Sequence, residues 1–338
     1  MRGYRALPTE VHETIYSDKP KKLRMGRQKN FYADGKIPDH IEFGGFRGGM
    51  ATTTAQSDKD LYDNQVAESA MYFLNNYDQD APFYRDVGFQ SPHGPWTTPL
   101  RFKEMYNAQN FKQPKDWAGG FVENAIADEI CGKTIDNSRI RFWQKSVRNY
   151  FSSLSYADYQ LGRVWDALKS SRHAENTLVV ILSDHGLHLG ERDRFTKCSL
   201  WEQVANVPLI IHDPAQPAGQ VVSDPVGLID VGPTVMEYLG LPPLDDSPGR
   251  SLLAQMNWER DPDRAVPTFY FGNAGVRKGK YRYIRYSDGS TQLFDLSQDW
   301  WQTHNLGEGH PDYQKMKEAH AACCKEYGLD LRAELAPS

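Results

Sequence analysis

Apolar residues recur at helical spacing in two long stretches of the chain. Between residues 145 and 170 they fall three or four positions apart, which predicts the longest helix of the protein. The residues on this stripe are Val147, Phe151, Leu154, Ala157, Leu161, Val164, Trp165 and Leu168. A second stripe predicts a helix over 58–76, with Ser57 or Asp58 as its N-cap. The last thirty residues also predict a helix.

Continuous apolar runs predict buried strands. The run TLVVIL at 177–182 is rich in β-branched residues and has no polar alternation, which is typical of a strand buried on both faces of a parallel sheet. A second such run covers 207–211, and a helix with Pro233 in its first turn follows it. A further strand is predicted over 83–89, where it ends at the loop SPHGPW.

The order of these elements predicts the fold class. Strands and helices alternate from residue 83 to 241, which indicates a layered α/β domain. Beyond residue 264, short alternating runs separated by glycine-containing turns indicate an antiparallel meander. We therefore divide the chain into an irregular N-terminal segment (1–57), an α/β domain (58–255) and a C-terminal antiparallel subdomain with a helix (256–338).

Composition and charge exclude several classes of protein. With 39% apolar and 25% charged residues, the 338-residue chain can bury a sizeable core. The net charge of −5, without a block of like charge, gives no reason to expect a nucleic-acid partner. No apolar stretch is long enough to span a membrane. The four cysteines are too few for a disulfide framework, and with the polar N-terminus they predict a cytoplasmic protein.

Residues with chemical potential directly follow the first apolar run. The tetrapeptide SDHG at 183–186 lies at the carboxyl end of a predicted strand, where α/β sheets bind ligands. Asp184 and His185 offer a carboxylate and an imidazole to a divalent cation, although a turn cap and a surface histidine explain them equally well. Lys197 and His93 each suit an anion, but single residues of these types usually have no such role.

Three residues in the loop after SDHG are weaker candidates. His188 and Arg192 have polar side chains in the right region but no spacing that assigns them a role. Cys198 follows Lys197, yet no histidine and aspartate accompany it in the pattern of an activated thiol. We interpret Cys198 as a packing residue.

Longer segments resemble the sulfatase family of the alkaline phosphatase superfamily. The segment SDHGLHLGERDRFTKCSLWEQVANVPLIIHDP resembles the family's S-D-[HN]-G, L-G, lysine and V-P-L-I-I pattern. Four other segments agree with the family in the same order: GFQSPHGPWTTP, YFSSLSYADYQLGRVWDAL, GLIDVGPTVMEYLGLPP and VRKGKYRYIRYSDGSTQLFDLSQDWWQTHNL. The likeness covers roughly residues 58–320, and the histidine in SDHG is similar to the iduronate- and choline-sulfatase branch.

This resemblance implies a fold and a site. The fold would be alkaline-phosphatase-like, with a mainly parallel sheet between helices and a small C-terminal antiparallel sheet plus helix. Asp184 and His185 match the family's metal ligands, with calcium as the expected divalent metal. Lys197 and His93 match the catalytic residues that bind the sulfate group. Such a site would act by electrostatic clamping of the sulfuryl oxygens.

The chain departs from the family pattern at the nucleophile. The family has a cysteine or serine in C/S-x-P/A-x-R, oxidised to formylglycine, and a preceding strand with two adjacent aspartates. No cysteine or serine of this chain matches, and the string SPGR at 247–250 has the wrong spacing. We therefore expect a metal-dependent sulfate ester hydrolase that lacks the N-terminal nucleophile segment, and a chain that is inactive by itself.

Two alternatives to this hydrolase remain open at this point. The chain could instead be a relative of phosphonate monoester or phosphodiester hydrolases, or a non-catalytic remnant that binds oxyanions or sulfated glycans. The expected ligand is a small-molecule or carbohydrate sulfate ester. Because loss of the family's first strand would open a sheet position, we also expect either homo-oligomerisation or an N-terminal segment in that strand's place.

Overall fold

A computed structural model describes residues 39–216, 219–243 and 247–329. Contacts divide the chain into two units, the described residues of Met1–Lys112 with Asn137–Leu178, and those of Gln113–Asp136 with Val179–Ser338. Within the described ranges, no helix has both the length and the apolar character needed to cross a membrane. Of the predicted irregular segment 1–57, residues 1–38 lie outside the described part.

The described elements alternate along the chain and then become a run of strands. The α-helices are α1 (Ala55–Lys59), α2 (Tyr62–Asn76), α3 (Leu100–Glu104), α4 (Ala125–Ile130), α5 (Ile140–Lys169), α6 (Glu202–Ala205), α7 (Val231–Tyr238), α8 (Leu253–Met256) and α9 (Tyr313–Glu326). The strands are β1 (His40–Gly44), β2 (Gly49–Thr52), β3 (Trp96–Pro99), β4 (Val179–Leu182), β5 (Leu209–His212), β6 (Ala265–Tyr270), β7 (Asn273–Lys278), β8 (Tyr281–Arg285) and β9 (Thr291–Asp295). Short 3-10 helices cover Ala108–Asn110, Lys115–Gly119, Glu191–Asp193 and Leu228–Asp230.

The first unit is built around helix α5. The helix predicted over 145–170 is confirmed, and it packs along α2 and against strand β3. The predicted packing face is wrong: of its apolar stripe only Val147 and Leu168 are buried and Leu154 is 43% exposed, whereas the buried face carries polar residues such as Ser152 and Gln160. Leu61, Phe102 and Tyr156 form its buried core. Strands β1, β2 and β3 form a three-stranded sheet, in which β1 and β2 are antiparallel and β2 and β3 are parallel.

The predicted helix over 58–76 is confirmed, but its predicted cap is wrong. The helix α2 begins after Leu61, and no side chain caps it. Ser57 and Asp58 belong instead to the short helix α1, whose N-cap is Thr54 with a side-chain oxygen 3.2 Å from the amide of Ser57. The polar residues before the apolar stripe form a separate helical turn. In the sequence, a serine or aspartate in such a turn looks the same as an N-cap of α2.

The strand predicted over 83–89 is wrong. This segment has no regular structure, and the strand of this region is β3, which follows the SPHGPW loop. The ring of Phe83 packs between α2 and the turn that follows α5: it lies 5.1 Å from Phe73 and 5.2 Å from His173, centroid to centroid. His93 therefore precedes a strand instead of following one.

The second unit contains the predicted C-terminal sheet. Strands β6, β7, β8 and β9 pair antiparallel in chain order, and helix α9 packs on them. Tyr283, Leu293 and Met316 lie in the core between the sheet and the helix. The meander and the C-terminal helix are thereby confirmed, whereas the domain boundaries at 57 and 255 stay predictions.

The strand predicted at 177–182 is confirmed as β4, but its predicted environment is wrong for the described residues. There β4 pairs antiparallel with β5, so that Val180 lies opposite Ile211 and Leu182 opposite Leu209. None of the residues of this strand is fully buried, and Leu182 remains 45% exposed. An apolar β-branched run reveals strand propensity, whereas the direction and number of neighbouring strands depend on distant parts of the chain.

Candidate functional site

The SDHG turn lies directly after β4. Ser183 donates a hydrogen bond from its hydroxyl to the carbonyl of His185 (3.0 Å), and the amide of His185 donates to Oδ1 of Asp184 (3.0 Å). The amide of Gly186 donates to the carbonyl of Val204 on α6 (2.7 Å). These bonds fix the backbone of the turn against α6. The backbone positions of Asp184 and His185 are therefore fixed.

Gly186 is required by this close approach. A Cβ atom at this position would lie less than 3.0 Å from the carbonyl oxygen of Gln203 and 3.1 Å from the Cα atom of Val204. Both are backbone atoms, which cannot rotate out of the way. The absence of a side chain at Gly186 is thus what allows the turn to reach α6.

His185 and Lys197 are in direct contact. Nδ1 of His185 lies 2.8 Å from the carbonyl oxygen of Gly186, which can only accept, so this nitrogen carries the ring proton. Nε2 therefore presents its lone pair, and Nζ of Lys197 lies 2.6 Å from it. The structure brings together three of the four predicted site residues, because Oδ2 of Asp184 also lies 3.4 Å from Nε2 of His185.

The loop that carries Lys197 is held by a buried chain of polar groups. Nδ1 of His188 lies 2.7 Å from Oε1 of Glu191, and Nε2 of His188 lies 2.8 Å from the hydroxyl of Ser199. All three side chains are buried, and the amide of His188 bonds the carbonyl of Thr196 (2.9 Å). His188 is thereby a structural residue, and the backbone on both sides of Lys197 is fixed.

Arg192 is likewise structural. It has a left-handed backbone conformation (φ 56°), and its guanidinium carbon lies 3.9 Å from the ring centroid of Trp201. The guanidinium donates to the carbonyls of Val122 and of Gln302. Burial lowers the pKa of Arg192 to about 10, so the group stays charged near neutral pH.

Helix α6, against which the SDHG turn rests, is anchored by residues that the sequence analysis missed. Glu202 accepts from Arg282 at 3.0 Å, and its amide donates to Oε1 of Gln302 at 2.7 Å. Arg277 lies 3.4 Å from the same carboxylate. Arg282 lies between two tyrosines in the strand YRYIR, which is a signal for such a buried pair, although its partner cannot be read from the sequence.

His93 lies on the first unit, in a loop held by buried groups. The carboxylate of Asp63 accepts from the amides of Gln90 (2.7 Å) and Ser91 (3.0 Å). On the other side, the indole of Trp96 donates to the carbonyl of Pro92 (2.8 Å). The His93 side chain itself is exposed, with Nδ1 2.7 Å from the carbonyl of Gly94.

Two buried charged residues support the His93 loop, and neither was predicted. Desolvation raises the pKa of Asp63, against hydrogen bonds from Ser91 and Gln90 that lower it. Nζ of Lys103 donates to the carbonyl of Trp96 (2.9 Å), and burial lowers the pKa of Lys103 to about 7. Asp63 lies within the helix predicted over 58–76, whereas no predicted element of the sequence analysis contains Lys103.

The donor set of Asp184 and His185 fits part of a divalent cation site. Oδ2 of Asp184 and Nε2 of His185 lie 3.4 Å apart. This is the distance between two ligand atoms that bind one cation at right angles, each with a bond of about 2.4 Å. Among the residues that the structure describes, no group of three or more His, Cys, Asp or Glu side chains could hold a metal ion. The described chain thus offers two ligands of the six or more that calcium prefers.

The cysteines take no part in this arrangement. Cys131, Cys198, Cys323 and Cys324 are all free thiols, in agreement with the expectation of no disulfide framework. Burial raises the pKa of the Cys323 thiol to about 11, which keeps it protonated and unreactive at neutral pH.

Comparison with known proteins identifies the family. The family model described as Sulfatase matches residues 11–241, which is more than half of the chain. The chain belongs to the sulfatase family. The predicted resemblance is thereby confirmed.

Curated relatives of this sulfatase-family chain are about twice as long as the part that matches it. A sulfatase of Formosa agariphila is 32% identical over 255 residues, which cover 72% of this chain and 50% of the relative. The choline-sulfatase of Rhizobium meliloti is 30% identical over 278 residues, which cover 77% of this chain and 54% of the relative. The chain spans about half the length of the curated relatives it matches.

Solved structures confirm the fold class. The phosphonate monoester hydrolase of Agrobacterium radiobacter superposes with a TM-score of 0.69 at 21% identity, covering 94% of this chain and 70% of that one. A structure in complex with its substrate D-glucosamine-2-N,6-O-disulfate has a TM-score of 0.65 at 18% identity, covering 79% and 70%. At these identities the likeness shows the fold alone, an α/β architecture of the sulfatase and alkaline-phosphatase type.

Proposed function

We propose that this sulfatase-family chain recognises the sulfuryl group of a sulfate ester, as part of the hydrolase activity of its family. One observation carries the proposal: Lys197, His185 and Asp184 meet at the end of β4, inside the stretch that matches the family. The ammonium of Lys197 lies beside a carboxylate and an imidazole, two side chains that can bind a metal. This combination of charges suits a sulfuryl group, whose negative charge is spread over several oxygens.

The roles of these residues follow from their chemistry. Lys197 supplies a positive charge on a flexible stem, held on a fixed loop, and would bind the sulfuryl oxygens. Asp184 and His185 would hold a divalent cation, for which we propose calcium. When bound, such a cation would stabilise negative charge on the ester oxygens. His93 lies in the other unit, and its assignment to the leaving oxygen or the sulfate stays a prediction from the family resemblance.

For the substrate, we propose a sulfated carbohydrate or a small sulfate ester. The relatives that support this choice are the choline-sulfatase and the protein solved with D-glucosamine-2-N,6-O-disulfate. Hydrolysis also needs a nucleophile, and the 338 residues contain no C/S-x-P/A-x-R motif. We therefore propose that the chain by itself binds the ester group without hydrolysing it.

The test compares Lys197→Ala with wild type in binding methyl sulfate, followed by NMR titration. Loss of the ammonium removes a charge-assisted hydrogen bond, so binding should weaken by about tenfold or more. Lys317→Ala is the control, because this lysine is exposed on α9 in the same unit. A parallel titration with the monomethyl ester of methylphosphonic acid, which carries a single negative charge as methyl sulfate does, compares the two ester classes.

Turnover of 4-nitrophenyl sulfate is measured with the same proteins. We expect no rate above the buffer blank for either wild type or Lys197→Ala. Equal binding of methyl sulfate by all three proteins would refute the role of Lys197, and tighter binding of the monomethyl ester of methylphosphonic acid would favour the phosphonate ester hydrolases. Turnover that disappears in Lys197→Ala would show a nucleophile in this chain and refute the proposed inactivity.

A further inference from the structure

Phe271 combines an exposed aromatic ring with a strained backbone. It is the first of the two residues that join β6 to β7, and it is 78% exposed. Phe271 and Gly272 have φ values of 43° and 69°, as the two central residues of a type I′ turn do. Asparagine or glycine is usual at the first of these positions, because a bulky side chain is strained at positive φ. The chain thus carries a large apolar ring in solvent at a position that favours a smaller residue.

Hydrogen bonds from Asn273 hold this β6–β7 turn. Its buried side-chain amide donates to the carbonyls of Tyr270 (3.0 Å) and Phe271 (2.6 Å), and its Oδ1 accepts from the amide of Ser287 (2.8 Å). The ring of Phe271 also lies 4.6 Å from that of Tyr270, edge to face. The exposed ring is therefore carried on a fixed backbone. Strained residues that their surroundings hold in place occur preferentially at ligand-binding positions.

The β6–β7 turn lies beside the loop that carries Lys197. Tyr270, the last residue of β6, packs against a core cluster that includes Leu200. The hydroxyl of Tyr270 forms a hydrogen bond with the thiol of Cys198, which raises the pKa of Tyr270 to about 12. Cys198 follows Lys197 directly in the chain. Phe271 and Lys197 are therefore the chain neighbours of two residues that contact each other.

We propose that Phe271 stacks on a sugar ring of a sulfated oligosaccharide, whose sulfate group binds Lys197. The inference rests on the proposed function for the sulfate site, and it specifies the part of the substrate beyond the sulfate. The face of a sugar ring carries C–H groups, so it packs on an aromatic ring as other apolar surface does. A ring on a fixed backbone loses little conformational freedom when it binds.

The two contacts require a ligand longer than one sulfated sugar. The ammonium of Lys197 contacts His185, whereas the side chain of the next residue, Cys198, contacts Tyr270. The path of contacts from the ammonium to the exposed ring of Phe271 thus runs through two other side chains. We expect methyl sulfate and choline sulfate to be too short to touch both groups, and two or more linked sugars to reach from one to the other.

The test measures affinity for methyl sulfate and for tetrasaccharides of chondroitin sulfate, heparin and κ-carrageenan by isothermal titration. In wild type, at least one tetrasaccharide should bind about tenfold more tightly than methyl sulfate. Phe271→Asn should lose about five- to tenfold of this tetrasaccharide affinity and should bind methyl sulfate as wild type does. Phe271→Tyr keeps the ring and should keep the affinity.

Thermal unfolding distinguishes a binding role of Phe271 from a structural one. Asparagine suits the first position of a type I′ turn, so Phe271→Asn should raise the midpoint of unfolding by about 2 °C. A residue needed for folding would show the opposite, a lower midpoint when its ring is removed. The expected variant is thus more stable than wild type and binds the oligosaccharide less tightly.

Trp258→Asn is the matched control. Trp258 is 66% exposed and also has a left-handed backbone (φ 69°), after the end of α8. Along the chain it is separated from the β6–β7 turn by the whole of β6, which spans about 20 Å. The variant removes an exposed ring and relieves the same kind of strain, so it should gain stability and bind the tetrasaccharides as wild type does.

The outcomes separate this inference from the proposed function. If Lys197→Ala loses methyl sulfate binding while Phe271→Asn binds every tetrasaccharide as wild type does, the sulfate site stands and the stacking role fails. If tetrasaccharide binding depends on Phe271 but not on Lys197, the stacking role stands and the sulfate site fails. The stacking role is also overturned by a lower unfolding midpoint of Phe271→Asn, by an equal loss of affinity in Trp258→Asn, or by wild type that binds no tetrasaccharide more tightly than methyl sulfate.

Discussion

Replacing Glu202 with glutamine should lower the free energy of unfolding by about 3 kcal/mol at neutral pH. The carboxylate of Glu202 is 4% exposed and lies 3.0 Å from the guanidinium of Arg282, which is 2% exposed. Glutamine keeps the shape but removes the charge, which leaves the buried guanidinium without a counter-ion. Burial already lowers the pKa of Arg282, a sign that its charge is costly in this position without Glu202. Urea unfolding followed by circular dichroism measures the loss.

The matched control is Glu326→Gln. Glu326 also pairs with an arginine, Arg250, at 3.1 Å, but both side chains are about half exposed. Exposed pairs of this kind contribute about 0–1 kcal/mol, so the control should stay close to wild type. In the double variant Glu202→Gln/Arg282→Met, part of the loss should be recovered because no charge remains buried. Equal effects of the Glu202 and Glu326 variants would contradict the assigned role of the buried pair.

Gly186→Ala should also destabilise the protein by about 3 kcal/mol and should separate His185 from Lys197. The added methyl group meets the backbone of Gln203 and Val204, so the turn or α6 must move. Movement of the turn carries Nε2 of His185 away from the ammonium. Thermal unfolding measures the first effect, and the ring ¹⁵N signal of His185 measures the second.

Gly162→Ala is the control for this substitution. Gly162 lies within α5, where an added Cβ atom meets nothing within 4 Å. Alanine should therefore stabilise the helix by about 0.5–1 kcal/mol. If the Gly186→Ala protein is as stable as wild type and the ring ¹⁵N signal of His185 is unchanged, α6 can move at little cost and Gly186 does not position the site.

The sequence predicts those elements whose pattern is local. Helix α5 shows an uninterrupted apolar stripe, and the C-terminal meander has turns at Gly279 and Gly289, both of which adopt positive φ. The strand prediction for 83–89 fails because this segment is irregular: Phe83 packs on Phe73 of α2, while Tyr84 is exposed to solvent. The pairing of β4 fails because strand direction is decided by residues distant in sequence.

The site shows the same division between local and distant information. The motif and its resemblance place Asp184, His185 and Lys197, and the contacts join them although the last two are twelve positions apart in the chain. The residues that hold them escape prediction. Glu202 and Arg282 are 80 positions apart, and neither lies in a chemical motif. A buried ion pair becomes visible only when the fold brings both partners to one place.

The strand pair β4 and β5 has a consequence for handling the protein. In the described ranges these strands pair only with each other, and Leu182 and Ile210 are 45% and 55% exposed. Open strand edges with apolar side chains attract one another in solution. We therefore expect these two strands to promote self-association in concentrated samples. Titrations at high protein concentration should therefore include an additive that reduces self-association.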